Sequence, residues 1–511
     1  MLTALILIPL LAALAIVILP RTISGLPRLI ALAATLADLV IAVMLFLRFD
    51  AAGGLQFIEK FTWVTSLGLS FSVGADGLNM GLLLMGTIVA FAATCVSWEI
   101  KTLEKEFYVL LLVMISGILG AFASQDLFLL YFFHELALVP TFIMIGVWGR
   151  GDQKNYATYQ ITIYLTAGAL VALVGLILLY VKGPGTFDIQ EMTAHFQKTP
   201  LSMGEQSFIF ALLLFGFGIL VSLWPFHSWA PLGYASAPTA NAMLHAGVLK
   251  KFGLYGLLRI ALPMLPDGAR QWMPFLALLC LGNLLYCGWV AMRQRNLNLL
   301  IGNSSVAHMG FCFLGIASLT LVGVTGTVLV MIAHGLLAAL SFALSGYLYA
   351  HTGTLDMDKF GGLLRRVPFI GAVLVMALLA GCGVPGFANF AGELMVLFGS
   401  WKSGFTGQWI VVGAAWGALI IGGVYMLRAI RSVLHGPMPE AWAELPDATG
   451  AQRLPYVLLT GTLLLFGIAP GLLTNQIRPS AEKIVRLANP GKFKAEPAAP
   501  VAAPKKLAVN L

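Results

Sequence analysis

The chain has 511 residues, of which 59% are hydrophobic and 10% charged, with a formal net charge of +8. Soluble domains carry about 25% charged residues, so this chain lacks the polar groups to cover a water-facing surface of its size. A soluble globular enzyme is thereby excluded, and nothing in the loop-borne positive charge points to nucleic acid.

Apolar stretches able to span a bilayer need roughly 17–25 residues. They are predicted at 2–19, 28–48, 79–98, 107–124, 127–147, 158–181, 206–226, 237–262, 273–292, 298–317, 322–349, 367–401, 408–427 and 454–474. The first stretch has no positive leading region and no small-residue cleavage site, which favours a retained helix over a signal peptide. The stretch 367–401 is too long for one straight span and contains Gly381 to Gly386 (Gly-Cys-Gly-Val-Pro-Gly), so it reads as one broken helix. The expected fold is an all-α membrane protein with about 14 transmembrane helices. The longest polar connections lie near 49–78 and 428–453, and the Pro/Ala/Lys-rich piece from Lys492 to Lys506 is expected to be extended or disordered.

A second break is predicted at Leu223 to Ala240, where prolines and tryptophans interrupt an apolar run. Each break falls in the fourth helix of a five-helix run. This organisation reads as residues 1–104 (three helices), a five-helix unit 105–262, a second unit 273–432, and residues 433–511 (last span and basic tail). An odd helix number inverts the second unit, and inverted repeats with broken helices are a recurring transporter plan.

Odd-numbered loops carry fourteen Lys and Arg residues and even-numbered loops seven. The positive-inside rule makes the odd loops cytoplasmic and both termini periplasmic, although the tail adds seven more basic residues on that face. The five cysteines, Cys95, Cys280, Cys287, Cys312 and Cys382, lie in or beside apolar segments without metal-ligand spacing and read as small core residues.

Ionisable side chains at bilayer depth cost several kcal/mol and mark transport pathways by default. Glu135 lies in Tyr131 to Pro140 with no basic residue within a helical turn; it is a candidate proton relay or a carboxylate that only hydrogen-bonds helices together. Lys250 and Lys251 sit in an apolar run and point about 100° apart on a helix, so the two cannot share one role; interfacial anchoring is the alternative. Glu393 follows the broken segment, and such breaks are tolerated where freed backbone groups face protein or a water-filled cavity. His308 and His334 are next, since histidine titrates near neutrality, although a lone core histidine is often structural. His227 marks the first break. His245 and His134 are weaker candidates.

The stretches Phe132 to Pro140, Trp224 to Pro231, Ala237 to Ala240, Ala246 to Lys251, Ser304 to Gly310 and Gly386 to Leu394 resemble the antiporter-like membrane subunits of respiratory complex I. The resemblance runs in order over residues 79–432. Within that family, the acid at Glu393, where other branches have lysine, and the absence of a long lateral helix resemble the subunit M, or chain 4, branch. The resemblance implies a proton-translocating subunit of NADH:quinone oxidoreductase in a bacterial inner membrane, with L-like and N-like antiporter subunits as neighbours. Quinone, FMN and iron–sulfur clusters are then expected in partner subunits and none in this chain, which shows neither a dinucleotide fingerprint nor a cysteine cluster. Glu135 takes the place of the family glutamate coupled to a lysine, Lys251 the central lysine, His308 and His334 the central axis, Glu393 the exit acid, and His227 the histidine after the break.

One position departs from the pattern. The family lysine seven residues before His227 is replaced by Leu220, and the family Pro-Asp-Ala-His stretch by Pro231 to Tyr234. Lys250 is the candidate to replace the missing base in part. A multisubunit Na⁺/H⁺ antiporter, the membrane arm of a membrane-bound hydrogenase, and a non-conducting scaffold remain alternative readings.

Overall fold

The computed structural model describes residues 1–20 and 25–490; the predicted extended tail piece lies outside them. In chain order the elements are α1 (Leu2–Ile18), α2 (Leu26–Arg48), β1 (Gln56–Val64), β2 (Leu69–Ala75), α3 (Met80–Val96), α4 (Glu104–Ala123), α5 (Leu127–Trp148), α6 (Lys154–Lys182), α7 (Ile189–Lys198), α8 (Met203–Val221), α9 (Trp229–Ser236) and α10 (Thr239–Gly247). They continue with α11 (Phe252–Gly256), α12 (Leu262–Met264), α13 (Pro266–Leu281), α14 (Gly288–Arg293), α15 (Leu297–Ser318), α16 (Leu321–Thr352), α17 (Leu363–Arg366) and α18 (Pro368–Gly381). The last are α19 (Ala388–Trp401), α20 (Gln408–Trp416), α21 (Gly423–Leu434), α22 (Leu454–Ile468) and α23 (Gly471–Ala488).

Among the described residues, eleven helices are long and apolar enough to cross a membrane, and α1 and α18 are shorter apolar helices. The expected count of about fourteen also includes the interrupted segments, whose individual pieces fall short of a span. Carboxylates, amides and hydroxyls set the helix starts by accepting orphan backbone N–H groups: Asp126 caps α5, Asn296 caps α15 and Thr320 caps α16. The molecular centre is formed by α3, α15 and α16, whose apolar windows are almost wholly buried. Peripheral helices α1, α2 and α6 keep Leu, Ile and Val side chains exposed, as a lipid-facing surface requires.

One polar connection and the segment after the last span are structured. The 49–78 connection holds an antiparallel β1–β2 hairpin, because its aromatic and β-branched residues alternate with polar ones at a period of two. Lys60 of the hairpin bonds Asp188 at 2.9 Å, the residue that caps α7. Downstream of α22, α23 buries Leu473, Ile477, Ala481, Ile484 and Val485 on one stripe, the helical spacing of an amphipathic element.

Both predicted breaks are present. Between α8 and α9 the freed backbone is satisfied by Asn283: its side chain accepts from Trp224 N at 2.8 Å and donates to Ser222 O at 2.9 Å and to Val306 O of α15 at 3.1 Å. Between α18 and α19 the chain turns through Gly383 and Gly386, both at positive φ. The predicted single span at 237–262 is itself interrupted: α10 ends at Gly247, and a 3₁₀ turn, Leu249–Lys251, precedes α11. The extra interruption falls on the two lysines.

Candidate functional site

Lys251 is fully buried. Its ammonium donates to Ala246 O, a carbonyl released by the interruption after α10, and lies 2.9 Å from Nδ1 of His334 on α16. His334 faces His308 of α15 with ring centroids 5.4 Å apart. His308 Nδ1 is 2.7 Å from Ser304 O, and its Nε2 is 3.2 Å from Gly381 O, the carbonyl freed where α18 stops. Both ring nitrogens therefore face acceptors, which suits an imidazole carrying two protons. Glu393 of α19 reaches within 3.6 Å of the same Nε2. Lys251, His334, His308 and Glu393 thus form one continuous buried row across three helices and the 3₁₀ turn. His308, Gly381, Glu393 and Tyr425 line a small cavity at its end.

Close helix packing makes the row possible. A Cβ on Gly392 would stand 2.7 Å from Val330 Cγ2 and 3.0 Å from Val330 N, so α19 lies against α16 at a distance that only glycine allows. That approach brings the neighbouring Glu393 to the row.

The remaining predicted residues lie around it. Glu135 is not in contact with a lysine: its side chain is 35% exposed and its ion-pair partner among the described residues is His134, at 3.5 Å. It shares the outward face of α5 with Phe132 and Val139. His134 stacks on Phe252 with centroids 4.0 Å apart, immediately beside Lys251. His245 packs on Trp229 and Tyr234. His227 is half-buried at the first break, with its ring against Tyr286. Leu220 is buried. Lys250 makes no ion pair among the described residues; its ammonium donates to Ser305 Oγ at 3.3 Å and sits 5.5 Å from the Tyr234 ring centre.

Sequence reasoning passed over Ser304, Ser305, Tyr234 and Tyr425. Ser304 and Ser305 lie four and three residues before His308, on its helical face, a spacing that carried the signal. Tyr425 donates to Ser304 Oγ at 3.1 Å from α21, and nothing local marks it.

The model of the family NADH:quinone oxidoreductase/Mrp antiporter, transmembrane, matches residues 124–420. The chain belongs to this family. The antiporter-like chain is 35% identical to NAD(P)H-quinone oxidoreductase chain 4 1 of Picosynechococcus sp., over 93% of this chain and 89% of the relative. It is 31% identical to NADH-quinone oxidoreductase subunit M of Rhodobacter capsulatus, over 89% and 90% respectively. Its fold matches a chain of respiratory complex I from Thermus thermophilus with a TM-score of 0.87 and 27% identity, covering 96% of this chain and all of that one. It is accordingly an antiporter-like membrane subunit, and the buried row lies within the matched helices.

Proposed function

We propose that this antiporter-like subunit serves in the membrane arm of an NADH:quinone oxidoreductase of the complex I type and moves protons along its buried row. The contact sequence Lys251–His334–His308–Glu393 carries the reading. The Lys251 ammonium gives a proton to His334 and becomes a neutral amine. His334 passes one to His308, whose two carbonyl acceptors stabilise the doubly protonated ring. His308 then delivers it to the Glu393 carboxylate at the cavity. Each transfer changes the charge beside the next group, so the sites titrate as a coupled set. Glu135 and His134 form the approach on the α5 side, and His227 stands at the first break.

In this reading, quinone, FMN and iron–sulfur clusters belong to partner subunits, which include L-like and N-like antiporter neighbours. The subunit sits in a bacterial inner membrane with its odd-numbered loops cytoplasmic and both termini periplasmic, as the Lys/Arg asymmetry supports. Residues 105–262 and 273–432 are its two inverted five-helix units, each with a broken helix.

The test is proton uptake by proteoliposomes holding the whole complex. Lys251→Met is expected to cut protons moved per electron by at least about tenfold, the scale of losing a positioned proton-transfer group. A Lys251→Met complex that pumps fully overturns the reading. A second reading, a subunit of a multisubunit Na⁺/H⁺ antiporter, is favoured by the shared family description. It predicts Na⁺-dependent pH changes without electron transfer.

A further inference from the structure

Lys250 is a buried charged group next to the row that the transfer sequence above leaves unused. It is 1% exposed. A lysine ammonium is a strongly hydrated point charge, and holding one this deep without a carboxylate is costly. Its surroundings offer instead the Ser305 hydroxyl at 3.3 Å and the face of Tyr234 at 5.5 Å. Ser305 sits one helical turn before His308 on α15. Ser304, beside it, places its hydroxyl 3.3 Å from His308 Nδ1 and accepts from Tyr425.

The two lysines face different neighbours because the 3₁₀ turn splays them. Lys251 is seated on Ala246 O and His334, and Lys250 on Ser305 and the Tyr234 ring.

We infer that Lys250 is a second proton-carrying lysine, which feeds the His308–Glu393 end of the row through Ser305. The row is then forked: Lys251 feeds His308 through His334, and Lys250 feeds it through the hydroxyl-lined turn of α15. In the Lys250 branch the ammonium gives up one proton and becomes a neutral amine. Ser305 accepts and re-donates it, so the serine ends unchanged. His308 gains the proton and Glu393 receives it in turn. The fork gives this chain a second buried base where Leu220 has removed the usual one, and Tyr234 supplies an aromatic face that holds the ammonium in place. It rests on the proton-moving reading above.

The whole complex in proteoliposomes tests it, with protons moved per electron as the readout. Lys250→Met and Lys250→Arg are both expected to lower that ratio by about twofold, the share of one of two branches, because methionine carries no proton and arginine does not release one. Ser305→Ala is expected to lower it as well, with both lysines intact. Full pumping by Lys250→Met or by Ser305→Ala overturns the inference. So does a Lys250→Arg complex that matches the native one, since the lysine is then only a fixed charge. If Lys250→Met fails to assemble, Ser305→Ala decides alone. Lys251→Met separates the two levels: full pumping there sinks the proton-moving reading itself, whereas loss there with full pumping in Lys250→Met sinks only the fork.

Discussion

Two charged constellations in this molecule show how burial is handled residue by residue. Asp76 and Arg259 form a bidentate pair at 2.6 and 2.7 Å, with Tyr255 accepting from Arg259 Nε at 3.0 Å. Each guanidinium nitrogen has a partner, which is the arrangement a buried pair requires. Burial pushes the Asp76 carboxyl upward, but the Arg259 charge and its hydrogen bonds outweigh it and hold the group below its ordinary 3.8. A carboxylate depressed in the folded state stabilises fully above its unfolded value and loses that contribution as pH falls through the folded one. Asp76→Asn should therefore cost about 3–5 kcal/mol at neutral pH, the cost of orphaning a buried partner. The gap between native and variant in thermal unfolding of the detergent-solubilised protein should narrow below pH 3.8. The row from Lys251 to Glu393 is built differently. Among the described residues, the charged neighbour of the Glu393 carboxylate is the His308 imidazole at 3.6 Å, a group that can itself exchange a proton.

At the scale of elements, the interruptions place the chemistry. The break between α18 and α19 releases Gly381 O to His308 and turns the chain so that Glu393 faces back toward the cavity. Gly383 holds this turn at φ +67, and a Cβ there would stand 2.7 Å from Glu393 Oε2. Gly383→Ala should cost about 1–2 kcal/mol in the left-handed conformation and also displace the carboxylate. Gly386 is likewise at positive φ, +103, but a Cβ there meets nothing within 4 Å. Gly386→Ala should thus strain the same turn yet retain more pumping than Gly383→Ala. Equal pumping by the two variants would contradict a positional role for this turn. The interruption between α10 and α11 does similar work on the other side, since it frees Ala246 O for Lys251 and turns Lys250 toward Ser305.

For the molecule as a whole, the question is whether the chain conducts or only holds a membrane arm together. Glu135 bears on it, because it lies on an outward face of α5 rather than in the core. Inward of it, His134 pairs with its carboxylate at 3.5 Å and stacks on the Phe252 ring beside Lys251. Glu135→Ala should leave assembly of the complex unchanged, since its carboxylate makes one side-chain ion pair at 3.5 Å, and reduce proton uptake by at least about tenfold. Unchanged uptake would favour the scaffold. The outward position also explains why sequence alone placed Glu135 among the buried charges: every neighbour in its stretch is apolar, and a lipid-facing stripe has the same composition as a core one.

The sequence by itself determined the membrane class, the helix order, both breaks and the identity of the ionisable residues. Long apolar runs leave few alternatives to a transmembrane helix, and charges are too costly there to be incidental. It also marked Leu220 as a missing base. It did not reveal the hairpin at 56–75, where a short period-two pattern sits inside a polar connection, nor the turn at Leu249–Lys251, where an apolar run continues without a Pro to announce it. Only the tertiary structure decided which charges meet. Lys251, His334, His308 and Glu393 come from four segments as far apart as 142 positions, and their contact depends on how closely α16 and α19 approach through Gly392. Side-chain direction at the interrupted helix, set by backbone geometry rather than residue type, then separates Lys251 on the row from Lys250 on Ser305.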